Sequence, residues 1–203
     1  MDLSDYLEVL ADDLKLITYT TGKSDGEALA EYSVKQLEES NELPAMDLGS
    51  ISMVIGPRKR RMRVDAIGLD EIDNTAFGLI TDPAVELGQE TLTKTDIDVL
   101  VSHLSWFFET SANSALRETI PGHELGAHFA WDLGAKWFNV ARIKLLIVTT
   151  KRLSDRIRTY TAEKIAGKDV EVQIWDSTRL YEIYESKSGR ESISINLRDF
   201  DVP

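Results

Sequence analysis

Asp65 is the residue whose type and position are best suited to chemistry. It lies in the apolar, β-branched stretch 63–67, Arg63-Val64-Asp65-Ala66-Ile67. Alternation along a strand places Asp65 on the same face as Ile67 and Leu69. A carboxylate on such a face is costly unless it is paired or binds a metal ion. Three interpretations are therefore open: a metal ligand, a salt bridge to Arg63, or an edge position near solvent.

The second candidate feature is a basic run, Arg58-Lys59-Arg60-Arg61-Met62-Arg63, with five positive charges in six residues. It falls at the tip of a predicted hairpin and the start of the next strand. Such a run either blocks unwanted pairing at a strand edge or contacts nucleic-acid phosphates. The chain has a formal charge of −12, and its first fifty residues hold twelve acids against three lysines. Any binding of nucleic acid must therefore come from this local cluster.

Several other chemistries are excluded. The chain has no cysteine, which excludes disulfides, thiolate zinc sites and cysteine nucleophiles. The segment His123-Glu124-Leu125-Gly126-Ala127-His128 is close to a zinc-protease motif, but its histidines are five residues apart. That spacing does not place both on one helical face. Glycine-rich phosphate loops and the GxSxG elbow are absent from the sequence.

Hydrophobic spacing predicts the helices that would position these residues. Leucines at helical spacing in residues 1–15 predict an N-terminal helix. Ser24 and Glu27 have the spacing of a capping box, which predicts a second helix through about Glu39. A third helix is predicted from Thr95, and a fourth around Leu125 to Trp137.

Three strands with short connections, predicted over 50–56, 62–69 and 75–81, indicate an antiparallel meander. The dense apolar run 140–150 is typical of a strand covered on both faces. A helix over 153–165 and a strand over 170–174 would make a parallel pair with it. A short helix over 178–184 and a last strand over 193–197 follow. The predicted fold class is α/β (α+β), with a mixed β-sheet flanked by helices. It comprises an N-terminal helix, 1–22, and a single domain, 23–203.

This order of elements resembles the N-terminal domain of the abortive-infection phage-resistance (AIPR) family, and more broadly the restriction-endonuclease-like core of PD-(D/E)xK nucleases. The resemblance covers roughly residue 25 to the end of the sequence. The matching segments are Arg63–Ala66, Phe77–Ile80, Lys94–Leu100, Ile143–Val148 and Val172–Asp176.

The resemblance implies a magnesium site. In such nucleases a helix glutamate and two strand carboxylates hold Mg²⁺, and a lysine orients or activates the attacking water. Carried over by position, Glu31 (or Glu27) would be the helix acid and Asp65 the first strand acid. Asp82 would be the second strand acid after a slip of one residue. Where the family has Q-F-K, this chain has Thr81-Asp82-Pro83, so the lysine is missing and the implied nuclease is degenerate.

Three functions remain open from the sequence. The first is a phage-defence domain that no longer cleaves but binds DNA or RNA through Arg58–Arg63. The second is a protein-interaction module, acting on a protein partner or in a homo-oligomer, with an acidic surface and Trp106, Trp131 and Trp137 exposed. The third is an active Mg²⁺-dependent nuclease with rearranged ligands.

The location of the protein is also predicted from the sequence. No apolar run is long enough for a membrane span, and the acidic N-terminus does not resemble an export signal. We therefore expect a cytoplasmic protein with no membrane partner. The resemblance further implies that the chain is the N-terminal part of a longer protein.

Overall fold

The computed structural model describes residues 1–55, 59–113, 116–124, 126–157 and 160–191. Two helices begin the chain, α1 (Leu3–Thr21) and α2 (Asp25–Glu39). The predicted capping box of α2 is confirmed. The hydroxyl oxygen of Ser24 accepts a hydrogen bond from the backbone amide of Glu27, and the carboxylate of Glu27 accepts one from the backbone amide of Ser24. This reciprocal pairing satisfies two amides that the helix itself leaves free.

The predicted meander is confirmed, with strands β1 (Met46–Ile55), β2 (Arg60–Asp70) and β3 (Thr75–Asp82) pairing antiparallel. The sheet continues with β5 (Arg142–Thr149), parallel to β3, and β7 (Asp169–Trp175), parallel to β5. Its order is therefore β1-β2-β3-β5-β7. Two short strands, β4 (Thr91–Leu92) and β6 (Arg152–Leu153), form a separate parallel ladder.

Helices cover both faces of the sheet. One face packs against α3 (Lys94–Ala112) and α5 (Ala127–Lys136), with α4 (Leu116–Thr119) and a 3-10 turn (Trp137–Asn139) nearby. The other face packs against α1, α2 and α6 (Ser177–Glu191). We call these the α3 face and the α2 face. The mixed α/β class predicted from the sequence is thus confirmed.

The central strand β5 shows why the apolar run predicted a strand covered on both faces. Ile143, Leu145 and Ile147 are buried on the α3 face, whereas Leu146 and Val148 are buried on the α2 face. Because successive side chains of a strand point to opposite sides, a strand between two helical layers requires apolar residues at nearly every position.

The helix predicted over 153–165 is wrong. The described residues there form β6, turns and extended chain. Leu153, Ile157 and Tyr160 do pack on the α3 face, as their spacing suggested. Their backbone bonds are tertiary, however: the amide of Leu153 donates to the carboxylate of Asp176, and that of Ser154 to the carbonyl of Leu92.

Other boundaries differ by a few residues. The N-cap of α3 is Thr93, which pairs reciprocally with Asp96, and not the predicted Thr95. The last helix, α6, is longer than the predicted 178–184. The strand predicted over 193–197 lies outside the described residues. Within the described part of the chain, no helix has the length and apolar character needed to span a membrane.

Candidate functional site

Asp65 lies in β2 where pairing with β3, over 66–70 and 75–79, ends. Only 2% of its side chain is exposed. Its Oδ1 accepts from Arg63 Nε at 3.0 Å, and its Oδ2 accepts from Arg63 Nη2 at 2.7 Å. The backbone amide and the hydroxyl of Thr81 also lie 2.8 Å from Oδ2. Of the interpretations from the sequence, the salt bridge to Arg63 is the one that the structure shows, and the burial of the side chain contradicts an edge position near solvent.

These residues, with Gly26, form what we call the Asp65 cluster. The Thr81 hydroxyl lies 3.0 Å from the carbonyl oxygen of Gly26 in the first turn of α2, and it accepts from Arg63 Nη2 at 3.1 Å. A Cβ on Gly26 would come within 3.2 Å of Arg63 Nη2 and of Thr81 Oγ1. Glycine at this position therefore lets α2 approach the strand closely.

The orientation predicted for Asp65 is wrong. Its partner Thr81 contacts α2, whereas Ile67 and Leu69 pack on the α3 face. The alternation is broken at residues 65 and 66, because Ala66 also packs on the α2 face. The neighbouring strand β1 has a register shift between Leu48 and Ile51. An irregularity of this kind re-aims one side chain of a strand.

The two candidate helix acids have partners near the start of α2. Glu31 forms a half-exposed ion pair with Lys23, at 2.7 Å. Glu27 belongs to the capping box, and hydrogen bonds from the backbone and hydroxyl of Ser24 lower the pKa of its carboxyl. Among the described residues, no hydrogen bond joins either carboxylate to Asp65, and no group of three acids that could hold a metal ion is formed.

Asp82 is directed to the opposite face of the sheet from Asp65. It follows Thr81 in β3, so the two side chains point to opposite sides. Its Oδ2 lies 3.0 Å from Nζ of Lys151, which also lies 3.5 Å from Oε2 of Glu90. Burial lowers the pKa of Lys151, but the hydrogen bonds and charges of the two acids outweigh burial and raise it overall.

We call Asp82, Glu90 and Lys151 the Lys151 cluster. The carboxylate of Glu90 accepts hydrogen bonds from the backbone amides of Val85 and Glu86, so this cluster anchors the loop after β3. Sequence reasoning missed Lys151 because it follows β5 and is far from Asp82 in the chain. The pairing of β3 with β5, which aligns Asp82 with Thr149, is what brings the two charges together.

The residues present do not fit a magnesium site. In the part of the chain that the structure describes, no three histidine, aspartate or glutamate side chains are grouped closely enough to hold a metal ion. Mg²⁺ needs free carboxylate oxygens at near-octahedral positions. Those of Asp65 are taken by Arg63 and Thr81, and Asp82 faces the other side of the sheet.

The basic run divides into two parts. Lys59 and Arg61 are exposed, and Arg61 also lies 3.4 Å from the hydroxyl of Ser52. Arg60 is half-buried, with its guanidinium 3.7 Å from the ring centre of Trp106 in α3. We call Lys59–Arg61 the basic hairpin. Arg63 belongs to the Asp65 cluster, and Arg58 lies outside the described residues.

The three tryptophans considered for a protein interface are partly buried. Trp106, Trp131 and Trp137 all pack against the core of the α3 face. Tryptophans commonly occur in such positions, and here they contribute to packing between α3, α5 and the sheet.

A search of curated proteins finds no match, and neither does a search of solved structures. A family model described as abortive infection phage resistance protein N-terminal domain matches residues 29–182. This match includes every strand of the sheet and most of α2, and it leaves α1 outside. Because it covers most of the chain, the protein belongs to the family of abortive infection phage resistance protein N-terminal domains.

Proposed function

We propose that this domain takes part in abortive phage resistance by binding nucleic acid at its basic hairpin, without cleaving it. One observation carries the proposal: the cations of a single hairpin have separate roles. Arg63 neutralises the acid at the position where a nuclease would hold its metal, whereas Lys59 and Arg61 face solvent. Membership of the family supports the role in phage resistance.

The absence of cleavage follows from the two clusters. Metal-assisted hydrolysis needs an ion that stabilises charge on the phosphate and lowers the pKa of a bound water. The carboxylate of Asp65 is engaged by a guanidinium, and Pro83 stands where the motif would carry lysine. In this proposal the domain keeps a restriction-endonuclease-like core whose acidic site has become an internal ion pair.

Binding at the basic hairpin follows from its exposure and chemistry. A guanidinium can donate two parallel hydrogen bonds to a phosphate, and Arg61 is exposed for that purpose. The contact with Trp106 holds the guanidinium of Arg60 against α3. Its side chain therefore loses less conformational entropy when it binds a phosphate. The rest of this acidic chain repels nucleic acid, so we expect few phosphate contacts.

The binding proposal is tested with fluorescently labelled single- and double-stranded DNA and RNA, using anisotropy at increasing salt. We expect wild-type binding to weaken as the salt concentration rises. The Lys59→Ala/Arg61→Ala variant should lose most of its affinity, and its slope of log binding constant against log salt concentration should become smaller by about two. The matched control is Arg152→Ala/Lys164→Ala, which removes two exposed cations elsewhere. Equal losses in both variants, or no binding by the wild type, would contradict the proposal.

The second half of the proposal is tested by incubating the same nucleic acids with Mg²⁺ or Mn²⁺. We expect no cleavage by the wild type or by Asp65→Asn. Metal-dependent cleavage that Asp65→Asn abolishes would show that the domain is an active nuclease. Cleavage of equal rate in both proteins would assign activity to other residues, and would equally overturn a non-cleaving role.

A further inference from the structure

A groove of about 420 Å³ runs along the outer edge of β7. This strand is the last of the sheet in the described part of the chain. Five consecutive residues of β7, Glu171–Trp175, line the groove. One wall is apolar and belongs to the α3 face: Leu153, Ile157 and Tyr160. The other wall, on the α2 face, is polar and includes Glu42 and Arg179.

The backbone of β7 offers hydrogen bonds to this groove. The guanidinium of Arg179 donates to the carbonyl of Ile174 at 2.8 Å, so that carbonyl points away from β5. In a parallel strand, alternate residues direct their backbone groups to the same edge, so Val172 also presents its amide and carbonyl to the groove. Trp175 is buried, and its Nε1 has no hydrogen-bond partner among the described residues.

We propose that this groove binds residues 192–198 of a second copy of the chain as an added β-strand. The segment reads Ser192-Ile193-Ser194-Ile195-Asn196-Leu197-Arg198. Its alternation places three apolar side chains on one face and polar ones on the other. The groove has the complementary pattern, an apolar wall opposite a polar one.

Particular groups in the two partners also match. Arg198 is opposite in charge to Glu171 and Glu42 in the groove. Five strand residues extend about 17 Å, so the apolar alternation from 193 to 197 equals the length of β7 that lines the groove.

The handedness of the connections between strands indicates that the segment in the groove comes from a second copy of the chain and not from the same molecule. The connection from β5 to β7 crosses the α3 face, where Ile157 and Ile165 pack. By contrast, α6 lies on the α2 face through Leu180. Two steps in the same direction across a sheet, made on opposite faces, have opposite hands. Because connections between parallel strands are right-handed in about 98% of cases, a strand added parallel to β7 through the molecule's own α6 is strongly disfavoured.

The position of α6 permits an exchange between two copies. Lys187, near its end, donates to Gln36 and Glu39 at the end of α2. The next segment of chain contains Glu42, which lines the groove. The end of α6 therefore lies close to one end of the groove, and a two-fold axis at this corner would allow residues 192–198 of each copy to enter the groove of the other.

Because the chain has no cysteine, engineered disulfides test the proposal directly. Val172→Cys and Ile195→Cys proteins are mixed, oxidised and separated on a non-reducing gel. We expect a cross-linked dimer, since neighbouring strands lie within the reach of a disulfide. The control is Val172→Cys mixed with Ser194→Cys, whose thiols would lie on opposite faces and stay unlinked. In solution, Ile195→Asp should convert the dimer to monomer in light scattering, whereas Ile72→Asp, at an exposed position, should not.

Two results would overturn the inference. A chain carrying both Val172→Cys and Ile195→Cys that cross-links within one molecule would show that the segment binds its own groove. A wild-type protein that stays monomeric at all concentrations would show that the groove does not bind this segment. The same conclusion would follow if Ile195→Asp left the dimer intact and the Val172→Cys and Ile195→Cys proteins did not cross-link. Neither result depends on nucleic-acid binding, so the outcome is separate from that of the proposed function.

Discussion

The Asp65 and Lys151 clusters begin one residue apart in β3, at Thr81 and Asp82, yet they lie on opposite faces of the sheet and are built differently. Asp65 is almost fully buried and is held by a bidentate guanidinium. Asp82 is about a quarter exposed, and its ammonium partner Lys151 is shared with Glu90. Arginine can saturate one carboxylate with two parallel bonds, whereas lysine acts as a point charge between several.

This difference decides how each cluster responds to loss of a partner. Without Arg63, the buried carboxylate of Asp65 would keep only Thr81 as a donor and would have no countercharge. Without Lys151, the more exposed carboxylates of Asp82 and Glu90 would be hydrated. A metal site needs its acids on one face of the sheet. Alternation along β3 places Thr81, which binds Asp65, and Asp82 on opposite faces, so Asp65 and Asp82 cannot share a metal ion.

The largest effect is expected for Arg63→Met, which keeps an apolar stem and removes the charge. Breaking a buried ion pair on one side leaves an uncompensated charge and costs about 3–5 kcal/mol. Urea unfolding measures the loss. The double variant Arg63→Met/Asp65→Asn should recover a substantial part of it. If the double variant is as unstable as the two single changes predict by addition, the pair does not interact as described.

A smaller loss, about 1–2 kcal/mol, is expected for Lys151→Met, because its charged hydrogen bonds to Asp82 and Glu90 are only partly screened. The matched control is Lys164→Met, whose ion pair with Asp169 is largely exposed and should contribute under about 0.5 kcal/mol. Limited proteolysis should also detect loosening of the loop that Glu90 anchors. Equal stability of the two variants would show that the Lys151 cluster is only a surface ion pair.

For Gly26→Ala we expect a net loss of about 1 kcal/mol. Alanine favours a helix by about 1 kcal/mol over glycine, but the added methyl would press on Arg63 and Thr81, which hydrogen bonds hold in place, and overpacking costs about 1–3 kcal/mol. In the Arg63→Met background the penalty should shrink. A stabilised Gly26→Ala protein would indicate that the cluster shifts freely.

The smallest effect concerns alkaline pH. The pKa of Lys151 is raised in the folded state, so its contribution is fully present below the unfolded value of about 10.4 and is lost as pH rises through the folded value. The difference in unfolding free energy between wild type and Lys151→Met should therefore narrow above about pH 10, and a constant difference would contradict the assignment.

Local sequence patterns were sufficient for most of the framework. The capping box of Ser24 and Glu27, the strands of the meander and the dense apolar strand β5 are set by interactions between residues close in the chain, or by burial on known faces. The same reasoning failed over 153–165, where helical spacing was present but the amides of Leu153 and Ser154 bond to distant residues. Periodicity reports which residues are buried, and several backbone conformations can bury the same set.

The family resemblance and the list of acidic and basic candidates could be read from the residues alone, because both depend on residue type and order. Their arrangement could not. Whether Asp65 meets Arg63 or a metal depends on an irregularity in β2, and whether Asp82 has a cation depends on the pairing of β3 with β5. Charges act through space over a few ångströms, so the partner of each buried acid is set by chain segments that the linear order does not bring together.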